Sequence, residues 1–336
     1  MSHPAAGSAP APLTDVAFPK LLGAPGLAQG RYGERGNFEL VAPDPDDGLW
    51  VFWHNNDLPV PGAATVPGPP PGRWSGGLHF ARGHRFDSVC VLQSRNGPDH
   101  LELLARESTV VHRFRWSPAP AFTHEGELPV RAGGAPALAE TPDGTLHALV
   151  PLPDGGATWL TARPDTYPAL DWQRRQPRPF AEAERVLTAA AGTGGPYTDS
   201  PVGVLGTADG RLLLCAADGP SARPLPGEAT AGHVATLADD DGVRCFTTGP
   251  GPVLRVSSST GRSWPDVPLP GSGAVGGIAV TWASFDRHRT DVAVQRGHEI
   301  LHLTRTAGPD GAWQVTTARS RVLPGPGIPP GVHRRS

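Results

Sequence analysis

The sequence has no apolar run of the roughly eighteen residues that a membrane-crossing helix requires, so insertion into a bilayer by that route is not expected. Its amino terminus, MSHPAAGSAPAPLTD, lacks the basic start and apolar centre of a secretory leader. Cytoplasmic residence, or export by a route without a recognisable signal, is the expectation. Cysteine is scarce. Cys90, Cys215 and Cys245 are odd in number, far apart and each set in an apolar run, the pattern of reduced buried thiols, which argues against a disulfide framework or a thiolate metal cluster. An excess of one charge is missing as well: 29 basic against 32 acidic residues give a net charge of −3, and with it no long-range field to gather nucleic acid or an anionic membrane.

Helical periodicity is nearly absent. The one candidate, FAEAERVLTAAAG (180–192), reads equally well as an outer strand. Also absent are a His-Glu metalloprotease motif, a nucleophile elbow, a phosphate-binding loop and a cysteine pair. No catalytic residue, metal ligand or cofactor is therefore expected.

What the chain has is punctuation. Its 43 glycines and 40 prolines separate short alternating runs of Val, Leu, Ala and Thr, with nine tryptophans among them, a composition of short strands joined by tight turns. Tryptophan closes a strand-rich segment at positions 74, 116, 172, 264 and 313, with gaps of 42, 56, 92 and 49 residues. If the longest gap hides one lost copy near Asp218, the mean spacing is about 48 residues, the repeat length of a four-stranded propeller blade.

The segments between the markers agree. One unit reads DSVCVLQS (87–94), HLELLAR (100–106), TVVHRFRW (109–116) and FTHEGELP (122–129); the last reads GGIAVTW (276–282), TDVAVQR (290–296), EILHLTR (299–305) and WQVTTARS (313–320). ILHLTR lies over VVHRFR, which sets His302 on His112 and Arg305 on Arg115. Fainter units occupy 135–162, 200–218 and 233–258. The expected architecture is an all-β propeller of four-stranded blades, six of them recovered, with room for a seventh in the degenerate stretch 173–232. It forms one domain over 16–325, between a disordered tail at 1–15 and a carboxy-terminal tail at 326–336.

Two local features stand out. The proline-rich run LPVPGAATVPGPPPGRW (58–74) falls between strands of the first unit and is expected to project from one rim. SSSTGRSW (257–264) resembles the Asp-box hairpin, with Ser259 where the aspartate belongs, Gly261 for the tight turn and Trp264 as its cover. A single copy argues against a sialidase.

Five stretches carry a family resemblance: Gly36 to Val41, Phe52 to Asp57, Trp74 with Gly76, Asp87 to Ser94 and Leu101 to Arg106. Together they resemble the repeat of the PLL-like bacterial fucose-binding propeller lectins, well over 36–118 and fairly over 275–305. The resemblance implies a seven-bladed relative that binds monosaccharides in clefts between blades, here best preserved between the units of 36–82 and 87–129.

A sugar needs an aromatic face for its C–H groups and fixed polar groups for its hydroxyls. Trp53, Trp74 or Trp116 can supply the ring; His54, Asn55, Asn56, Asp57 and Arg115 can supply the hydrogen bonds. Packing competes for the same residues. Leu49, Val51 and Trp53 alternate with Trp50, Phe52 and His54, so some of these rings must face a neighbouring blade. His112 and His302 read as packing groups on the face of Val51, Asn55 to Asp57 as turn formers, and Asp239 to Asp241 as an acidic turn rather than a calcium loop.

The expected function is binding of a glycan or small sugar without catalysis, strengthened by several sites or by oligomerisation. A propeller enzyme with a site at the channel mouth, and a scaffold that binds a protein partner on one rim, are the alternatives.

Overall fold

A computed structural model describes residues 21–317 apart from 60–67, 176–179, 182–183, 220, 230–232, 250, 284 and 306–312. The two expected tails and residues 60–67 of the proline-rich loop lie outside the described residues. The chain forms six four-stranded antiparallel sheets, each a simple meander in sequence order. The first blade contains β1 to β4 (Gly26–Gln29, Asn37–Pro43, Leu49–Asn55, Leu78–Phe80) and the second β5 to β8 (Ser88–Ser94, His100–Glu107, Val110–Ser117, Ala121–Glu127). The third contains β9 to β12 (Ala137–Glu140, Leu146–Pro151, Ala157–Ala162, Gln173–Arg174) and the fourth β13 to β16 (Val186–Gly192, Val202–Thr207, Arg211–Ala216, Arg223–Glu228). The fifth contains β17 to β20 (Val234–Asp239, Gly242–Thr248, Val253–Ser258, Val267–Pro268) and the sixth β21 to β24 (Val275–Ala283, Asp286–Arg296, Glu299–Arg305, Trp313–Thr317).

The first strand of each blade is innermost. Each packs against the inner strand of the next blade, and β21 returns to β1, which closes a six-bladed propeller. The degenerate stretch 173–232 holds the end of the third blade and the whole fourth blade, so the count is six and not the seven implied by the resemblance. The fourth blade carries no tryptophan, which accounts for the doubled gap.

The run 180–192 is neither helix nor outer strand. Val186–Gly192 is β13, the innermost strand of its blade, and Phe180 bridges to Ala157 at the edge of the third blade. Geometry favours alanine there: six strands converge on one axis, and Gly26, Ala137, Ala189, Ala190, Ala235 and Ala279 line a central cavity of only about 110 Å³.

A blade cannot bury two faces alone, so the core is distributed among the interfaces. Val41, Val51, Leu103 and Trp116 fill the first-to-second interface. Trp159, Leu205 and Cys215 fill the third-to-fourth, where Gly203 allows the close approach: a Cβ there would lie 2.3 Å from Leu149 and 3.0 Å from Trp159. The interface of the sixth blade with the first is filled by Phe38, Leu40, Phe52 and Trp74 against Ala279, Ala293 and Ile300. The three cysteines are free, and burial pushes each thiol up to about 12.

The hairpin at 257–264 forms as its sequence predicts. Gly261 has φ +84°, the Ser258 amide donates to the Arg262 carbonyl at 2.8 Å, and Ser259 Oγ accepts the Val243 amide at 3.1 Å. The acidic turn is also present, with the Asp241 amide donating to Asp239 Oδ1 at 2.9 Å.

Candidate functional site

Alternation along the second strand of each blade directs every other side chain toward the following blade. One such position is occupied in turn by Glu39, Glu102, His147, Val202, Arg244 and Asp291. Its equivalence across blades follows from the register with the third strand: Glu39 opposes Trp53, Glu102 opposes Arg115, His147 opposes Thr161, and Asp291 opposes Thr304. Five of the six are ionisable and lie within an interface, so each cleft has its own electrostatic character.

This register corrects the overlay of ILHLTR on VVHRFR. His112 shares its face with Phe114 and Trp116 and turns to the first blade, together with Phe86. His302 shares its face with Ile300 and packs on the first blade from the other side, against Phe38 and Trp74. The residue structurally equivalent to His302 is therefore Arg113; His302 keeps the orientation of Val51, toward the following blade, and His112 is the one that is reversed.

The eight residues expected to bind sugar separate among three interfaces. Trp53 and Trp116 face the junction of the first and second blades, where both are buried and Trp116 retains only 1% of its exposure. Beside them Glu39 accepts from Asn37 Nδ2, and burial holds its carboxyl well above the usual carboxylate range. His54 and Trp74 turn the other way and meet His302, with ring centroids 5.1 Å apart for His54–Trp74 and 5.6 Å for His54–His302. Burial and the neighbouring His302 depress His54 to about 4, while Nδ1 stays hydrogen-bonded to Asn56 Oδ1 at 2.7 Å.

Asn55 and Asp57 organise the rim: Asn55 Nδ2 donates to the Pro69 carbonyl at 3.0 Å, and Asp57 Oδ1 accepts the Arg35 amide at 2.9 Å. Arg115 faces the third blade and pairs with Glu125 at 2.7 Å. Next to it Arg113 makes a two-pronged bond to Glu102 at 2.9 and 3.1 Å and donates to the Pro168 carbonyl at 2.7 Å. The hydrogen-bonding capacity of this pair is committed within the protein.

Two clefts are more open. A cavity of about 430 Å³ beside the third blade is lined by Thr141, Asp143, His147, Thr161, Arg175 and Asp199. Among the described residues it offers hydrogen bonds and, apart from the His147 imidazole, no aromatic ring. His147 lies 3.4 Å from the hydroxyls of Thr141 and Thr161 and is depressed to about 4 by burial, with Arg175 adding to the effect.

The cleft between the fifth and sixth blades combines rings with charge. Trp264, Trp282 and Trp313 are only half-buried there, against Leu237, Phe246 and Leu303. The Arg244 guanidinium lies 5.0 Å from the Trp282 ring centroid and 5.9 Å from that of Trp264, and pairs with Asp239 at 2.7 Å. Arg262 covers Trp264 at 4.9 Å. Burial, with Arg244 and Arg262 nearby, depresses Arg305. Residue spacing picked out Trp264 and Trp313 as blade markers but missed this site, because its members come from five strands and connections of two blades.

No family model and no curated protein matches this sequence. Solved structures do. AofleA from Arthrobotrys oligospora superposes with a TM-score of 0.59 at 10% identity, over 90% of this chain and 88% of that one. The SapL1 lectin in complex with alpha methyl fucoside gives 0.60 at 10%, over 92% and 98%. The fucose-specific lectin from Aleuria aurantia gives 0.59 at 12%, over 91% and 100%. At such low identity the likeness concerns architecture alone: this chain shares its fold with fucose-specific β-propeller lectins.

Proposed function

We propose that this protein binds a monosaccharide or glycan terminus without altering it, and that the cleft between the fifth and sixth blades is its principal site. The observation that carries the reading is the half-buried pair Trp264 and Trp282 flanking Arg244, whose guanidinium is oriented by Asp239. An accessible indole face meets the C–H side of a pyranose, while a planar five-donor guanidinium and its carboxylate partner replace the water lost from ring hydroxyls. Trp74 and Trp116, by contrast, are buried and already packed. The fold shared with fucose-specific lectins supports the same class of ligand.

The test is a glycan array probed with labelled wild-type protein and with Trp282→Ala. Saturable binding to a defined glycan set, lost in a variant that still melts cooperatively, is the expected result. A folded wild-type protein that binds no glycan would exclude the reading.

A further inference from the structure

Residues 81–87, which connect the first blade to the second, carry His84 over the ends of β6 and β7 remote from Glu102. There His84 Nδ1 lies 2.9 Å from Oε2 of Glu107, and Nε2 of His112 lies 3.5 Å from the same oxygen. The three donor atoms fall within 4.8 Å of one another. Zinc bound tetrahedrally at about 2.0–2.1 Å sets its ligands ~3.3 Å apart, so this triangle closes on an ion with small side-chain adjustments.

The surroundings orient all three donors. The Arg85 amide donates to Oε1 of Glu107 at 2.7 Å, which leaves Oε2 for the histidines. His112 Nδ1 lies 3.3 Å from His124 Nε2, so with an ion on Nε2 the ring can carry its proton on Nδ1 and donate it to His124. A second partner on the remote ring nitrogen is the usual support of a metal-ligating histidine. Phe86 fixes the planes, stacked on His84 at 5.3 Å and edge-on to His112 at 5.6 Å. Side-chain exposure is 34% for His84, 33% for Glu107 and 7% for His112, so the group is anchored on one side and open to solvent on the other. A surface His–Glu pair by itself stabilises little and does not require a second imidazole aimed at the same carboxylate oxygen.

We propose that His84, Glu107 and His112 bind a divalent transition-metal ion of the zinc type, with one coordination position left for water or for a donor atom of a bound molecule. Two imidazoles and a carboxylate suit a borderline ion rather than a hard one such as magnesium or calcium. On binding, the ion takes the place of the proton between His84 Nδ1 and Glu107 Oε2, and that proton passes to solvent or to Nε2 of His84. The ion then ties the inter-blade connection to the second blade. This inference is independent of the sugar site, which lies between other blades.

The experiment uses the full chain without a polyhistidine tag, freed of metal with a chelator. It is titrated with zinc against a chromogenic indicator, then with cobalt(II) followed by visible absorption. One ion per chain, the intense bands of four-coordinate cobalt, and at least about tenfold weaker zinc binding in both Glu107→Gln and His84→Gln are expected. Metal-free melting of the two variants should match that of the wild type. Absence of stoichiometric binding overturns the proposal. So does undiminished binding in the doubly substituted protein, which would place the ion on others of the 13 histidines.

Discussion

The indole N–H of Trp74 donates to Nδ1 of His302 across 3.4 Å, and so joins two residues 228 positions apart in the first and last blades. The bond fixes the imidazole: Nδ1 accepts, and Nε2–H donates to Asp291 Oδ1 at 2.8 Å. Asp291 is also held by Thr304 at 3.0 Å and by two bonds from Arg289 at 2.8 Å. Burial opposes its charge, yet the bonds from His302 and Arg289 keep the carboxyl below its ordinary value. Among the described residues every blade is one contiguous run of chain, so this interface closes the ring by side-chain packing.

Truncation of Trp74 is therefore expected to act on stability. Trp74→Ala should cost about 3–5 kcal/mol, the range for a buried aromatic ring, and should also leave His302 Nδ1 without its donor. Urea denaturation followed by tryptophan fluorescence and far-UV circular dichroism measures it. Unchanged midpoints would show that ring closure does not depend on this contact.

The two buried histidines predict a pH dependence. His54 and His147 titrate near 4 in the folded protein and near 6.5 when unfolded, so the unfolded chain binds more protons between those values. Their contribution to stability is whole above pH 6.5 and declines as pH falls through the folded values, by on the order of 3 kcal/mol for each. His302, Asn56, Arg289 and Asp291 surround the first, and Arg175 and Asp143 the second. Denaturation midpoints between pH 7 and pH 4 should fall steeply, and less steeply in a protein carrying His147→Asn.

Blade boundaries were legible because each strand alternates and each turn is marked; the strands read at 87–94 and 299–305 coincide with Ser88–Ser94 and Glu299–Arg305 to within a residue. What could not be read was the side of the blade. A slip of one residue in a strand reverses every side chain, so setting His302 on His112 paired residues that face opposite neighbours. The recurring cleft position was hidden for a related reason. Glu39, Glu102, His147, Val202, Arg244 and Asp291 share a geometric role and no chemical type, and only the register with the third strand reveals the series.

The Glu102–Arg113 pair allows a cleaner energetic test, because the two side chains keep only 2% and 3% of their exposure. Removing one partner strands a buried charge, so Arg113→Met should cost about 3–5 kcal/mol. Replacing both, as Glu102→Met with Arg113→Met, should recover much of that loss. A double-mutant cycle on urea midpoints measures the coupling. If the paired replacement is as damaging as the two single losses summed, the pair is not acting as a unit.

Ser259 replaces the aspartate of an Asp-box, and its Oγ is the acceptor for the Val243 amide. Ser259→Ala removes that acceptor, with an expected cost of about 1–3 kcal/mol if the amide finds no other. Gly261→Ala should destabilise by roughly 1 kcal/mol, since φ there is +84° although a Cβ would meet open space. Thermal melts of the two variants separate the loss of a hydrogen bond from backbone strain.

The sharpest prediction for the sugar cleft concerns Arg244. Its plane lies near two indoles while Asp239 holds one edge, so charge, flatness and fixed donor directions all contribute. Lysine preserves the first of these and loses the others. Arg244→Lys should consequently weaken binding of whatever glycan the array identifies by at least about tenfold, or about 1.4 kcal/mol, with little change in melting temperature. Isothermal titration at two salt concentrations distinguishes the mechanisms. Equal affinity for lysine and arginine, coupled to a strong salt dependence, would mean that the cleft acts through net charge alone; loss of affinity with weak salt dependence would assign recognition to the planar, directional guanidinium.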